Sequence, residues 1–307
     1  NYATDTNHAG LVDRAFISGL DSAFTTGYAT RGNATGTTVY YLSGGSVTGS
    51  ASSYSQFDIA GNVVKNIDRR GNATTMIYAD CFGTPNGEAR TNIAPTELGT
   101  LSSFGFLTKT INAANHTTYT QFDFYLGKPV DGEDANGVVT SGYYSDSLDR
   151  PTQIIRAVGT GLVNQTSFSY DDTNRFVTTT SDLDGTNQTV SRIVYDQMGR
   201  QSEKQQFEGG TNYITTQTQY DVLGRAYKTS NPFRPWQGET AVWTTTAFDE
   251  LGRPTTVTAT DNAVTTSSYS GNSVTVTDPA TKKRKAVSDA LGRLTQVYED
   301  PTPGSNL

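Results

Sequence analysis

Polar and apolar residues alternate along much of this chain, and clusters of turn-forming residues interrupt the alternation at short intervals. Ile193 and Tyr195 share one face of a segment whose other face carries Arg192 and Val194. Further on, Ile214, Thr216, Thr218 and Tyr220 align against Tyr213, Thr215, Gln217 and Gln219. Arg253, Thr255, Val257 and Ala259 form another such row, and so do Arg293, Thr295 and Val297. A period of two places alternate side chains on opposite faces of a β-strand. Thr, Val, Ile and Tyr dominate these rows, and they suit a pleated, half-buried surface. No segment of useful length shows a helical period. Many positions on both faces are Thr, Ser or Gln, so the pattern alone specifies strand register weakly, and the turns must pin it.

Those turns recur as a motif. Tyr195-Asp196-Gln197-Met198-Gly199-Arg200, Tyr220-Asp221-Val222-Leu223-Gly224-Arg225 and Phe248-Asp249-Glu250-Leu251-Gly252-Arg253 share the form aromatic-Asp-x-x-Gly-Arg. Ser288-Asp289-Ala290-Leu291-Gly292-Arg293 repeats it without the aromatic. Weaker copies lie upstream: Phe57-Asp58-Ile59-Ala60-Gly61-Asn62, Asp80-Cys81-Phe82-Gly83, Phe122-Asp123 with Gly127-Lys128, Asp146 to Arg150, and Tyr170-Asp171 to Arg175. The fifth motif position falls at 61, 83, 105, 127, 149, 174, 199, 224, 252, 271 and 292, with Gly105 and Gly271 assigned partly from spacing. A second cluster sits between copies, at Asp68 to Asn72, Asp134 to Gly137 and Asp182 to Gly185. One repeat therefore reads strand, turn, strand, turn.

The chemistry of the motif explains a reversal. Asp at the first turn position accepts bonds from backbone N–H groups further along. Glycine three residues later takes positive φ without steric cost. Asp-x-x-Gly thus fits a type I turn closed by a left-handed residue, a common hairpin connection. Where Asn174 or Asp149 replaces that glycine, the substitute tolerates the left-handed region. The expected fold is all-β, with tandem antiparallel β-hairpin repeats forming a long curled sheet.

Composition narrows the picture. Of 307 residues only 34% are hydrophobic, which is low for a compact globule. Yet only 17% are charged and 10% aromatic, including 17 tyrosines, which argues against disorder. A net charge of −7 argues against nucleic acid or an anionic membrane surface as the main partner. Cys81 is the single cysteine, so no internal disulfide forms. No apolar run reaches the length of a membrane helix. The chain opens at Asn1 in mid-pattern, and an internal or processed fragment is expected.

The motif and its spacing resemble the YD repeats of RHS proteins, over roughly residues 28 to 298. Relatives in that family include the cocoon subunit of bacterial insecticidal toxin complexes, polymorphic toxins, wall-associated proteins and the teneurin shell. The resemblance implies a β-spiral winding into a hollow shell, which in the toxin members encloses an effector. Those members end in a core segment with an aspartyl self-cleavage site followed by a variable effector. Neither is recognisable here, so no cleavage residue is carried over. The expected organisation is a degenerate repeat or entry segment over 1–27, the array over 28–298, and a tail or linker over 299–307.

Candidate sites are few. The turn residues Asp58, Gly61, Asp80, Gly83, Asp196, Gly199, Asp221, Gly224, Asp249, Gly252, Asp289 and Gly292 are assigned a structural role, as are the repeat aromatics Phe57, Tyr170, Tyr195, Tyr220 and Phe248. The motif arginines are expected to pair with turn Asp residues or lie across neighbouring aromatics. No catalytic residue, cofactor or metal is assigned. His8 and His116 have no metal-ligand spacing, and no Gly-x-Ser-x-Gly elbow occurs. Lys282 to Lys285 reads as a solvated hairpin tip. Phe233, Trp236 and Trp243 belong to an interruption of the repeat around Pro232 and Pro235. They are a candidate binding loop for sugar rings or a partner, set against a loop that caps its own hairpin. The functional expectation is a non-enzymatic scaffold, part of a secreted bacterial RHS-type protein whose shell encloses or delivers a toxin. The alternatives are an extracellular adhesin or carbohydrate-binding array, and a self-assembling filament or tube. Expected partners are the rest of the polypeptide or neighbouring copies, and an enclosed effector or carbohydrate.

Overall fold

The computed structural model describes residues 10–28 and 31–299. His8 and the Pro301 to Gly304 stretch lie outside the described residues. The described chain is all-β: 21 strands, each paired antiparallel, and two single 3-10 turns. It divides into two compact units, Asn1–Ser167 and Phe168–Leu307.

In the first unit, β1 (Gly36–Ser43), β2 (Ser46–Phe57), β3 (Val63–Ile67), β4 (Ala73–Ile77), β5 (Lys109–Ile111), β6 (Thr117–Asp123), β7 (Lys128–Glu133), β8 (Val139–Tyr143) and β9 (Gln153–Arg156) follow one another. Each pairs with the strand before and after it in sequence, and β9 pairs with the start of β10 (Asn164–Asp171). The second unit continues with β11 (Phe176–Asp182), β12 (Gln188–Tyr195), β13 (Gln201–Gly209), β14 (Asn212–Tyr220), β15 (Ala226–Ser230), β16 (Trp243–Phe248), β17 (Pro254–Thr258), β18 (Val264–Ser270), β19 (Ser273–Thr277), β20 (Lys283–Ser288) and β21 (Leu294–Glu299). From β11 to β21 every consecutive pair is a hairpin.

Besides shifts between Tyr41 and Leu42 and between Phe207 and Gly209, register slips by one residue in step with the motif. It shifts between Gln56 and Phe57, Val194 and Tyr195, Gln219 and Tyr220, Ala247 and Phe248, and Val287 and Ser288. Each shift lies just ahead of a motif Asp. A type I turn followed by a left-handed glycine inserts one extra residue, the bulge that lets a right-handed turn connect twisted strands.

One expectation fails in the first unit. Asp80 to Gly83 does not reverse the chain, and neither does Gly105. Residues 78–108 form a long excursion between β4 and β5. Gly83 does not take positive φ; it lies so close to Gln121 that a Cβ would fall inside that side-chain amide. The Asp80 carboxylate instead accepts bonds from the backbone of Ser103 and Phe104 and from the Ser103 hydroxyl. The excursion builds most of the unit's core. Phe82, Ala89, Cys81 and Leu98 are buried, together with Val130 of β7. Phe82 meets Phe106 and Phe124 edge to face, at centroid distances of 5.9 and 5.2 Å. Asp131 is buried under the excursion, where it accepts the Asn86 and Gly87 N–H groups and the Ser141 hydroxyl. Arg90 spans from the excursion to Glu133 and lies 4.6 Å above the Tyr119 ring.

Candidate functional site

The motif residues assemble into repeated reversals. In the turn after β12, the Gly199 N–H bonds to the Asp196 carbonyl and the Asp196 N–H to the Arg200 carbonyl. Gly199 takes φ 76°. Asp196 Oδ1 accepts the Met198 and Arg200 N–H groups, and Oδ2 accepts Arg200 Nε at 2.7 Å. The turns at Asp221–Arg225, Asp249–Arg253 and Asp289–Arg293 repeat this set of bonds. Gly224, Gly252 and Gly292 hold φ 83°, 78° and 77°.

The arginine therefore closes its own turn, and it also reaches the next one. Arg200 lies over the Tyr220 ring at 4.5 Å, Arg225 over Phe248 at 4.7 Å, and Arg253 over Tyr269 at 4.2 Å. Arg225 Nη1 also donates to the Asp249 carbonyl at 3.1 Å. Asp, Arg and the following aromatic thus form a ladder running from turn to turn. Cation–π contacts of this kind contribute on the order of 0.5–1 kcal/mol each when exposed. Tyr269 is a rung that the sequence pattern did not single out, because the Asp is missing from its turn. Tyr220 additionally donates from its hydroxyl to the Gln201 carbonyl. Of the other expected aromatics, Phe57 and Tyr195 end β2 and β12, their backbones bonded to Val12 and Arg175, and Tyr170 lies half-buried in β10.

The ladder also governs ionisation. Asp196, Asp221, Asp249 and Asp289 are held below the ordinary carboxylate range, first by the backbone N–H of the arginine four residues on. In Asp146 the Arg150 guanidinium leads, and the carboxyl falls to about 2. In Asp184 the Asn187 side chain leads, also to about 2. Such groups stay ionised acceptors and are poor proton donors.

Weaker copies use the same bonds with other donors. Asp58 accepts Ala60 N–H, Asn62 N–H and the Asn62 side chain, while Arg14 approaches its Oδ2 at 3.3 Å. Asp68 to Asn72 matches this, with Gly71 at φ 86°. In the turn starting at Asp171, the left-handed residue is Arg175, at φ 57°, and not Asn174 as expected. Asn174 is needed elsewhere: its N–H and side-chain amide both bind the Asp171 carboxylate.

At the turn apices the fourth motif residue is apolar and open to solvent. Met198, Leu223, Leu251 and Leu291 are 70–78% exposed. Nothing in the turn chemistry calls for an aliphatic there, and the sequence reading passed over it.

The candidate loop divides. Phe233 is buried at 9% exposure, and its backbone bonds both ways with Thr215 of β14, extending the ladder past the end of β15. Arg234 grips Glu208 through Nε and Nη2, holding that carboxyl low. Trp243 sits in β16 with Lys228 4.6 Å above its ring. Trp236, in the 3-10 turn Pro235–Gln237, is 48% exposed. Among the described residues no group of His, Cys, Asp and Glu is placed to hold a metal ion, and no helix is long and apolar enough to cross a membrane.

The fold resembles that in the crystal structure of TcdB2-TccC3, with a TM-score of 0.62 and 14% identity over 86% of this chain and 16% of that chain. That complex contains RHS/YD shell repeats, and the hairpin array described above has their fold. The Photorhabdus luminescens Tc holotoxin pore gives a TM-score of 0.46 at 14% identity, over 82% of this chain and 14% of that chain. No family model and no curated protein matches the sequence. The chain spans a small fraction of the structures that it matches.

Proposed function

We propose that this chain is a length of non-enzymatic wall in a secreted RHS-type protein whose β-shell encloses or delivers a toxin. The observation that carries this reading is the ladder. The motif carboxylates, the residues best suited to acid–base chemistry, are spent on turn N–H groups and on arginine. What the ladder yields is a self-bracing sheet, and likeness in fold to a toxin complex with shell repeats supports the same reading. The remainder of the longer polypeptide and an enclosed effector are the partners, and the location is extracellular. Protease protection tests it. The complete protein is treated with protease, and the segment following the repeats should survive far longer than the same segment expressed alone. Equal digestion rates refute enclosure.

A second reading rests on Trp236, the one member of the candidate loop that is markedly exposed. It is a stacking surface for carbohydrate on an extracellular array. Trp236 fluorescence titrated with bacterial and host glycans should shift on binding; a flat response across the panel removes this reading.

A further inference from the structure

We propose that the cleft between the excursion and the β6–β7 turn is a binding site for a quaternary ammonium group. The inference is independent of the toxin and carbohydrate readings. A parallel bridge between Phe82 and Phe122 sets Phe82 against the end of β6. The turn that follows β6 carries Phe124 and Tyr125. Phe124 stands edge to face with Phe82 at 5.2 Å and 89°, and with Tyr125 at 5.4 Å and 86°. Rings that meet at right angles wall a corner, whereas parallel rings form a flat stack. These three rings, with Ile93 and Pro95 of the excursion, line a cavity of about 360 Å³, and buried Phe82 is its floor. The outermost wall is held in place: Tyr125 is 73% exposed, yet its hydroxyl donates to the Glu97 carboxylate at 3.0 Å.

Charge selects the occupant. Asp123 lines the same cavity. Its Oδ1 accepts the Tyr125 and Leu126 N–H groups, and its Oδ2 has no protein partner. Glu97 is held below the ordinary carboxylate range, first by its own backbone N–H and then by the Tyr125 hydroxyl. Among the described residues neither carboxylate is paired with a lysine or arginine. Elsewhere the chain covers its rings with its own cations, as Arg90 does Tyr119, Lys128 does Tyr144 and Lys228 does Trp243. Among the described residues none lies over Phe82, Phe124 or Tyr125. An aromatic corner flanked by two unpaired carboxylates suits a cation from outside. The apolar walls choose its kind. A primary ammonium would lose water that those walls replace poorly. A quaternary ammonium has no N–H to satisfy, and its methyl groups pack on the rings while its charge faces the carboxylates.

Calorimetric titration of the 307-residue chain with choline tests the proposal. Saturable binding is expected, with a Kd of about 1 mM or below. The uncharged carbon analogue, with a tert-butyl group in place of trimethylammonium, should bind about tenfold more weakly or worse. Phe124→Leu keeps an apolar side chain but removes a ring, and should weaken choline about tenfold. Should circular dichroism show that variant misfolded, Tyr125→Leu gives the same reading from an exposed position. Sedimentation with vesicles separates the sources. Retention on phosphatidylcholine beyond that on phosphatidylglycerol marks a lipid headgroup, and choline binding without such retention marks a free solute. Absence of saturable choline binding overturns the proposal. So does equal affinity for the uncharged analogue, or a folded Leu variant that binds choline as before.

Discussion

At the scale of the residue, the fold depends on a division of labour among Asp, Gly and Arg. The aspartate supplies acceptors, the glycine supplies a backbone angle, and the arginine neutralises the first and braces the next turn. Gly224 is the most constrained glycine of the ladder: φ is 83°, and a Cβ would lie 3.4 Å from Arg200 Nη1. Gly224→Ala should therefore cost about 1–2 kcal/mol, the penalty for a side chain in the left-handed region, as measured by urea unfolding. A change below about 0.3 kcal/mol would mean that the turn does not need this angle. The carboxylates predict a pH response. Their folded values lie below the ordinary one near 3.8, so their stabilisation is complete above that value and disappears as pH falls through the folded values. Thermal stability should be flat just above pH 5 and decline from about pH 4 towards pH 2. Stability that rises on acidification over that range contradicts the assigned bonds.

At the scale of the element, the sequence was legible where structure is local. The hairpins around Asp196, Asp221, Asp249 and Asp289 follow from a few adjacent residues, and alternation gave the strands between them. Asp80 to Gly83 shows where local reading fails. It matches the motif in its Asp, its Gly and its spacing, yet it lies in a core-building excursion. One difference lies four residues after the Asp. Asn62, Asn72, Arg200, Arg225, Arg253 and Arg293 can return a side-chain donor to the carboxylate, whereas Thr84 follows Asp80 at that place. The buried contacts of Asp131 and Gln121 were illegible, because they depend on segments remote in sequence. Gly83→Ala should cost about 1–3 kcal/mol by overpacking against Gln121, and a neutral result in denaturant unfolding would discredit that close approach. Within the loop after β15, Phe233→Ala should cost about 3 kcal/mol and Trp236→Ala less than about 1 kcal/mol, since only the first is buried. Equal losses in thermal unfolding would show that both side chains support the hairpin.

At the scale of the whole molecule, stability is expected to be uneven, as it is in proteins built from units that touch chiefly their neighbours. The segment β6 to β8 holds Gln121, Val130, Asp131 and Ser141 out of solvent, whereas β21 is exposed along most of its length. Hydrogen exchange should be slowest in the former and fastest, among the second unit's strands, in β21. Uniform exchange would point to a single cooperative block instead. The arginine ladder has a further consequence for how such a chain changes length. The reversals at Asp221 and Asp249 each carry a cation for the ring that follows and a ring for the cation that precedes. Duplicating or excising one full period by recombination leaves a matched seam on both sides, wherever the breakpoints fall within the period. A breakpoint pair out of phase with these rungs strands an arginine or a ring, so insertions and deletions in whole steps are expected to disturb the sheet least.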